Sequence, residues 1–130
     1  MGHGRFILFY TLCGVAAALA QALPSPTSEI PMVGASGAVS GVLGAYLLLY
    51  PHARVLTVIP LGIWFPIVRV PAGILLTLWF VLQLLSSWLM HGSGKDGGVA
   101  FRAHIGGFVA GMLLIPLMKQ RRVRLWAPPK

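Results

Sequence analysis

Apolar residues are concentrated in four segments of the chain, and short polar stretches separate them. The segments cover residues 6–23, 34–50, 71–90 and 99–118. Each is close to the ~20 residues that an α-helix needs to cross the hydrocarbon of a bilayer, although the second is short. The pattern predicts an all-α fold, a polytopic membrane helical bundle of about four transmembrane helices.

The first segment admits a second interpretation. Residues 1–23 have a basic start, an apolar middle and Ala-Leu-Ala at 18–20, as a secretory signal peptide does. We favour a transmembrane helix, because the apolar part is long for a signal peptide and the sequence that follows is that of a membrane protein.

A shorter apolar stretch lies between the second and third segments. It covers residues 55–68, only 14 in number, and includes Pro60 and Pro66. Because two prolines would break so short a span, we expect an interfacial or re-entrant stretch with Trp64 at the level of the lipid headgroups.

The composition supports a membrane protein and excludes an ordinary soluble domain. Of the 130 residues, 57% are hydrophobic and 9% are charged, whereas about 25% of a soluble domain is charged. The single cysteine, Cys13, excludes an intrachain disulfide, and no set of residues has the spacing of zinc ligands. We therefore expect no metal and no cofactor.

Basic residues are distributed unevenly between the two sides that four spans would create. One side holds Lys95, Arg102 and both acids, Glu29 and Asp96. The other side holds eight basic residues: Arg5, Arg54, Arg69, Lys119, Arg121, Arg122, Arg124 and Lys130. Because basic residues mark the cytoplasmic side of a membrane protein, we expect both termini in the cytoplasm.

The same distribution divides the chain into a membrane domain, residues 1–118, and a basic cytoplasmic tail, residues 119–130. The net charge of +8 does not predict nucleic-acid binding, since no basic stripe alternates with exposed aromatic residues. The expected partner is the lipid bilayer, and we favour a bacterial inner membrane because no organelle-targeting signal is evident. The oligomeric state is left open.

Ser36 and His104 are polar residues near the outer ends of the second and fourth predicted spans. Each lies 15 positions before the cytoplasmic end of its span. At about 1.5 Å per residue, both lie roughly 22 Å from the inner face of a hydrocarbon core that is ~30 Å thick. The loop before Ser36 must then dip into the bilayer, which predicts a small aqueous pocket with Ser36 at its floor.

Small residues recur at helical spacing after each of these polar residues. They are Gly37, Gly41 and Gly44 after the serine, and Gly107 and Gly111 after the histidine. Faces of small residues let transmembrane helices approach closely. If the two faces meet, the hydroxyl and the imidazole come within hydrogen-bond reach, which predicts a serine–histidine catalytic pair.

The segments around these residues resemble the motifs of a known family. GASGAVSGVLGAY, residues 34–46, resembles the GxSG serine motif of the rhomboid intramembrane proteases. AHIGGFVAGM, residues 103–112, resembles their AHxGGxxxG histidine motif. GRFILFYTLCG and PAGILLTLWFVLQL look like the family's third and fifth transmembrane helices, so the likeness extends as far as the basic tail.

The resemblance implies a serine endopeptidase that cleaves transmembrane protein substrates. It implies Ser36 as the nucleophile and His104 as the general base, in a dyad without an acidic third member. The backbone N–H of Ser36 would bind the oxyanion, and Gly34 and Gly37 would admit the substrate backbone. Four further residues would pack the helices around the site: Ser40, Gly41, Gly107 and Gly111.

The sequence departs from the family's pattern in two respects. The family's core has six spans, and this chain resembles the last four, so we expect an N-terminally truncated form: a fragment, the product of a misplaced start codon or a degenerate copy. The family's second span supplies a histidine and an asparagine to the oxyanion hole, and this chain contains no asparagine. Ser40 also stands where the family often has an aromatic residue that packs on the histidine.

Two alternatives are open on the sequence. An inactive rhomboid-like protein would bind transmembrane clients without cleaving them. A small membrane transporter or channel subunit would belong to another class, although no charges line a path through the predicted spans. Trp79 and Gln83, one turn apart in the third span, are interpreted as helix packing with a hydrogen bond.

Overall fold

The computed structural model describes residues 1–24, 26, 35–93 and 101–126 and, among these, the side chains of all but residues 90–93. The elements follow in the order α1 (His3–Ala22), α2 (Ser36–Leu49), β1 (Arg54–Val58), β2 (Ile67–Pro71), α3 (Ala72–Ser93) and α4 (Phe101–Met118). Helices α1, α3 and α4 each contain a stretch that is long and apolar enough to cross a membrane, whereas α2 has 14 residues. The predicted helical membrane bundle is confirmed, with α2 as its short member.

Helix α2 packs on α1 through its glycines. Gly37 faces Ala17, and Gly41, one turn further along α2, faces Cys13. The two helices therefore run antiparallel, and the beginning of α2 lies beside the end of α1. Cys13 is fully buried in this contact, where its small side chain fits against a glycine.

Helix α2 packs still more closely on α4. Gly107 lies against the carbonyl oxygen of Gly37, and Gly111 lies against the carbonyl oxygen of Gly41. A methyl group at either α4 glycine would collide with the facing oxygen. Because both contacts advance by one turn in the same direction, α2 and α4 run parallel and begin at the same end of the bundle.

Helix α3 covers the other side of α4. Phe80 stacks on Phe108, with ring centroids 4.5 Å apart and planes inclined by 19°. Towards the far end of the bundle, a buried cluster of Phe9, Ala45 and Ile115 joins α1, α2 and α4. The four helices thus share one apolar interior, with α2 in contact with each of the other three.

The segment between α2 and α3 forms an antiparallel hairpin, which the sequence analysis did not predict. The register runs from Arg54 opposite Pro71 to Val58 opposite Ile67. Strands of this kind are favoured by the β-branched residues of the segment, and its two prolines exclude one continuous helix. The interfacial position expected for this segment stays a prediction.

A tight turn closes the tip of the hairpin. Leu61 and Trp64 exchange backbone hydrogen bonds of 2.8 and 3.2 Å across the two residues between them. Gly62, the first of these two, has φ +68°, a conformation that glycine adopts without steric cost.

Basic residues gather at the end of the bundle where α1 begins and where α2 and α4 end. Those within the described residues are Arg5, Arg54, Arg69, Lys119, Arg121, Arg122 and Arg124. Arg102 belongs to the other end, and Lys95, Lys130 and both acids lie outside the described residues. The residues after α4 return to this end of α2, because the Trp126 N–H donates to the Leu48 carbonyl (2.8 Å). The division into residues 1–118 and 119–130 stays a prediction.

We expect Gly107→Ala to destabilise the bundle, because its added methyl group would meet the Gly37 carbonyl oxygen. Overpacking of this kind typically costs about 1–3 kcal/mol. The measurement is the midpoint of thermal unfolding in detergent, followed by far-ultraviolet circular dichroism. Gly4→Ala is the matched control, since a methyl group there meets nothing within 4 Å. Equal midpoints for the two variants would contradict the proposed importance of the α2–α4 contact.

Candidate active site

Ser36 is the first residue of α2, and its side chain is exposed. The first N–H groups of a helix have no acceptor within the helix. Here Val39 is the first to donate, to the Ala35 carbonyl (3.0 Å), and Ala35 makes no side-chain cap. Within the described residues, the N–H groups of Ser36 and Gly37 have no hydrogen-bond acceptor, and they lie beside the hydroxyl at the positive end of the helix dipole.

His104 lies in the first turn of α4 and reaches the serine on α2. Its Nε2 atom is 3.0 Å from the Ser36 Oγ, although the two residues are 68 positions apart in the chain. Its Nδ1 atom is 2.9 Å from the Oε1 of Gln83 on α3. Three helices thus contribute one side chain each to a continuous chain of hydrogen bonds.

The Gln83 contact determines which ring nitrogen carries the hydrogen. An amide oxygen can only accept, so the His104 Nδ1 must be the donor. In the neutral ring, Nε2 is then left with a lone pair and accepts from the Ser36 hydroxyl. This is the arrangement that a general base needs in order to remove a proton from a serine.

Aromatic side chains of α3 and α4 restrict the imidazole ring. Trp79 lies 5.9 Å from the ring of His104, inclined by 42°. Trp79 also lies 5.9 Å from Phe108, which in turn stacks on Phe80. Trp79 and Gln83 are one turn apart on α3 and lie on one face of that helix. From this face, Trp79 packs against the ring of His104 and Gln83 bonds to its Nδ1 atom.

The four residues expected to pack the helices around the site occupy different positions. Gly41, Gly107 and Gly111 form the close contacts of α2 described above. Ser40 is buried, and its hydroxyl donates to the Ser36 carbonyl (2.8 Å). It thus bonds within its own helix and not into a pocket. Gly34, expected to admit substrate, lies outside the described residues, as do residues 27–34 of the loop expected to form the pocket.

The specific partner of Gln83 was not predicted from the sequence. A hydrogen bond between helices was expected for Gln83. The rotation of α3 that directs its side chain at the His104 Nδ1 could not be predicted from the sequence. A polar residue within an apolar helix, one turn from a tryptophan, was the available signal. Within the described ranges, no group of three histidine, cysteine or acidic residues could hold a metal ion.

The fold and this site define a class of protein: an integral membrane protein with a serine and a histidine hydrogen-bonded between its helices. Comparison with known families gives a match to the Rhomboid domain over residues 1–121. The chain belongs to the rhomboid family.

Among curated proteins, the chain is similar to Rhomboid protein 1, mitochondrial, of Saccharomyces cerevisiae. The two are 35% identical over 103 residues, which cover 75% of this chain and 26% of the yeast protein. The aligned region is therefore about a quarter of that relative's length. No solved structure matches the chain.

We predict that nuclear magnetic resonance of ¹⁵N-histidine-labelled protein in micelles will find His104 protonated at Nδ1. The ring resonances of His104 are identified as those that are absent from the spectrum of the His104→Ala variant. Gln83→Met keeps the length of the side chain but removes the acceptor, so the ring should lose this tautomer preference. Gln83→Glu keeps an acceptor oxygen and should preserve it. A wild-type ring protonated at Nε2 would contradict the assigned hydrogen bonds.

Proposed function

We propose that the chain is a rhomboid-type intramembrane serine endopeptidase that cleaves transmembrane protein substrates through a Ser36–His104 dyad. The observation that carries the proposal is the 3.0 Å separation of the Ser36 Oγ and the His104 Nε2. Membership of the rhomboid family supports the same reaction. Glu29 and Asp96, the two acids of the chain, have no part in the proposed mechanism.

The reaction begins when the Ser36 Oγ attacks the carbonyl carbon of the scissile peptide bond. As the new C–O bond forms, the hydroxyl proton moves to the His104 Nε2. The resulting imidazolium donates from Nδ1 to the Gln83 Oε1, whose partial negative charge stabilises the positive ring. His104 then gives the Nε2 proton to the departing amine, and the peptide C–N bond breaks.

The negative charge of the intermediate develops on the former carbonyl oxygen. The N–H groups of Ser36 and Gly37 at the beginning of α2 would donate to this oxygen, with support from the helix dipole. Gly34 and Gly37 would leave room for the substrate backbone, as the family's motif implies. A water molecule then attacks the acyl ester and passes one proton to Nε2. The ester C–Oγ bond breaks as this proton returns to Oγ, and the product leaves as a carboxylic acid that ionises in water.

The length of α2 supports a reaction inside the bilayer. Its 14 residues extend about 21 Å at 1.5 Å per residue, whereas the hydrocarbon core is about 30 Å thick. If α2 ends at the basic surface, Ser36 lies several ångströms below the opposite one. A transmembrane substrate can bring a peptide bond to that depth when its helix unwinds locally, which fits the proposed substrate class.

We further propose that the basic end of the bundle faces the cytoplasm, together with both termini, in a bacterial inner membrane. The gathering of the described basic residues at one end supports this sidedness. The yeast relative is named as mitochondrial, which offers a second host membrane.

The dyad is tested with a fluorophosphonate probe on purified protein in detergent. We expect labelling of the wild type, no labelling of Ser36→Ala and a loss of about 10²–10⁴ in the labelling rate of His104→Ala, the usual contribution of a general base. Thr11→Ala, which removes an exposed hydroxyl on α1, should label as the wild type does. Cleavage of a transmembrane reporter in proteoliposomes, mapped by mass spectrometry, then tests the substrate class.

A folded wild-type chain that fails to label would contradict the proposal and favour an inactive rhomboid-like protein that binds clients. Labelling that survives Ser36→Ala would place the reactive group elsewhere. Folding is checked for each variant by circular dichroism, so loss of structure and loss of the nucleophile are distinguishable.

We assign Gln83 as a positioning residue for His104. Gln83→Met should lower the labelling rate about two- to tenfold, the effect of losing a neutral hydrogen bond worth about 0.5–1.5 kcal/mol. Gln83→Glu retains an acceptor and should stay closer to the wild-type rate. A Gln83→Met enzyme with the wild-type rate and an altered His104 tautomer would contradict the link between ring orientation and reactivity.

A further inference from the structure

The hairpin between α2 and α3 carries an exposed apolar tip. Ile63 is fully exposed, and Leu61, Trp64 and Phe65 are exposed by 60%, 74% and 57%. Four large apolar side chains within five residues are therefore exposed together at the tip, outside the helices of the bundle.

One face of the two strands continues this patch and ends in two arginines. Alternation along the strands exposes Leu56, Val58 and Ile67 together with Arg54 and Arg69, whereas the side chains of the other face are half-buried. The register places Arg69 opposite Leu56, two positions along from Arg54. The two arginines are therefore diagonal neighbours, whose Cα atoms lie about 7–8 Å apart. The exposed face is thus apolar towards the tip and basic at its base.

The guanidinium groups of the two arginines make no hydrogen bond or ion pair within the described part of the chain. Long side chains at diagonal positions are within reach of one another, so two like charges there repel. An anionic group bound near both would offset this repulsion.

The base of the hairpin is fixed to the bundle. The Ala72 N–H donates to the Ala53 carbonyl and the Gly73 N–H to the Pro51 carbonyl, both at 2.7 Å. Beyond this base, the side chains at the tip are largely exposed within the described residues. The exposed face therefore has a defined attachment and is free to meet another surface.

We propose that this face of the hairpin binds the anionic phospholipids of the basic-side leaflet. Leu61, Ile63, Trp64 and Phe65 lie at the boundary between headgroups and hydrocarbon, and Arg54 and Arg69 bind lipid phosphates. Two isolated strands leave outer N–H and C=O groups unpaired, which hydrocarbon does not tolerate. The hairpin consequently lies along the interface, where water satisfies its backbone and the arginine stems extend over apolar surface.

The proposal is independent of proteolysis and is tested on the whole protein in neutral detergent micelles. Ile63→Cys is labelled with an environment-sensitive NBD fluorophore, and the parent chain is the labelling control for the buried Cys13. Phosphatidylglycerol is added at increasing mole fraction, with phosphatidylcholine in a parallel series. We expect the NBD emission to rise and shift to the blue at a lower mole fraction of phosphatidylglycerol than of phosphatidylcholine.

Arginine variants in the labelled background identify the source of the preference. The midpoint is the mole fraction of lipid at which the NBD emission has made half of its change. Arg54→Gln and Arg69→Gln should each raise the midpoint for phosphatidylglycerol about fivefold, the effect expected of one basic residue near an anionic surface. Arg121→Gln, at the same end but outside the hairpin, should leave it unchanged. Replacement of both hairpin arginines by lysine should keep most of the response.

Equal midpoints for the two lipids, or equal shifts for the hairpin variants and Arg121→Gln, would overturn the proposal. If the glutamine variants do not fold, added salt decides the question with the labelled parent. A midpoint that rises with ionic strength supports recognition of anionic lipid, and a midpoint that does not change contradicts it.

Discussion

The contact between α2 and α4 is the interaction on which the site depends. Within a bilayer, lipid tails are as apolar as leucine, so the hydrophobic effect does little to bring helices together. Close packing must supply the attraction, and Gly107 and Gly111 allow it because they place no side-chain atom between α4 and the Gly37 and Gly41 carbonyls of α2. Because the two helices run parallel and touch near their first turns, they bring Ser36 and His104 to the same end.

The polar groups at this end satisfy one another across three helices. An unpaired amide or imidazole in an apolar setting is costly, so the contacts of His104 with Ser36 and Gln83 stabilise the bundle and also fix the ring. A neutral amide orients the histidine without an ionised carboxylate between α3 and α4. Such a charge within a membrane would be more expensive than the amide.

Much of this architecture could be predicted from the sequence, because its causes are local. The lengths of the apolar segments predict the helices. The spacing of the glycines after Ser36 and His104 indicates which faces of α2 and α4 meet. The hairpin was missed because strand and helix cannot be told apart in a short apolar run by periodicity alone. The role of Gln83 was missed for a different reason: it depends on the rotation of α3 about its axis, which only packing against Phe108 and His104 fixes.

The depth proposed for Ser36 depends on the far end of the bundle. Helix α2 is too short to reach both surfaces, so the surface at which it is anchored decides where its first residue lies. The anchors are at its last turn: Trp126 donates to the Leu48 carbonyl, and the hairpin base begins at Pro51. A hairpin held at the lipid interface would fix the end of α2 at that surface, and the serine would then lie about 20 Å away by helix geometry alone. In that arrangement, the length of α2 sets the distance between the basic end and the candidate active site.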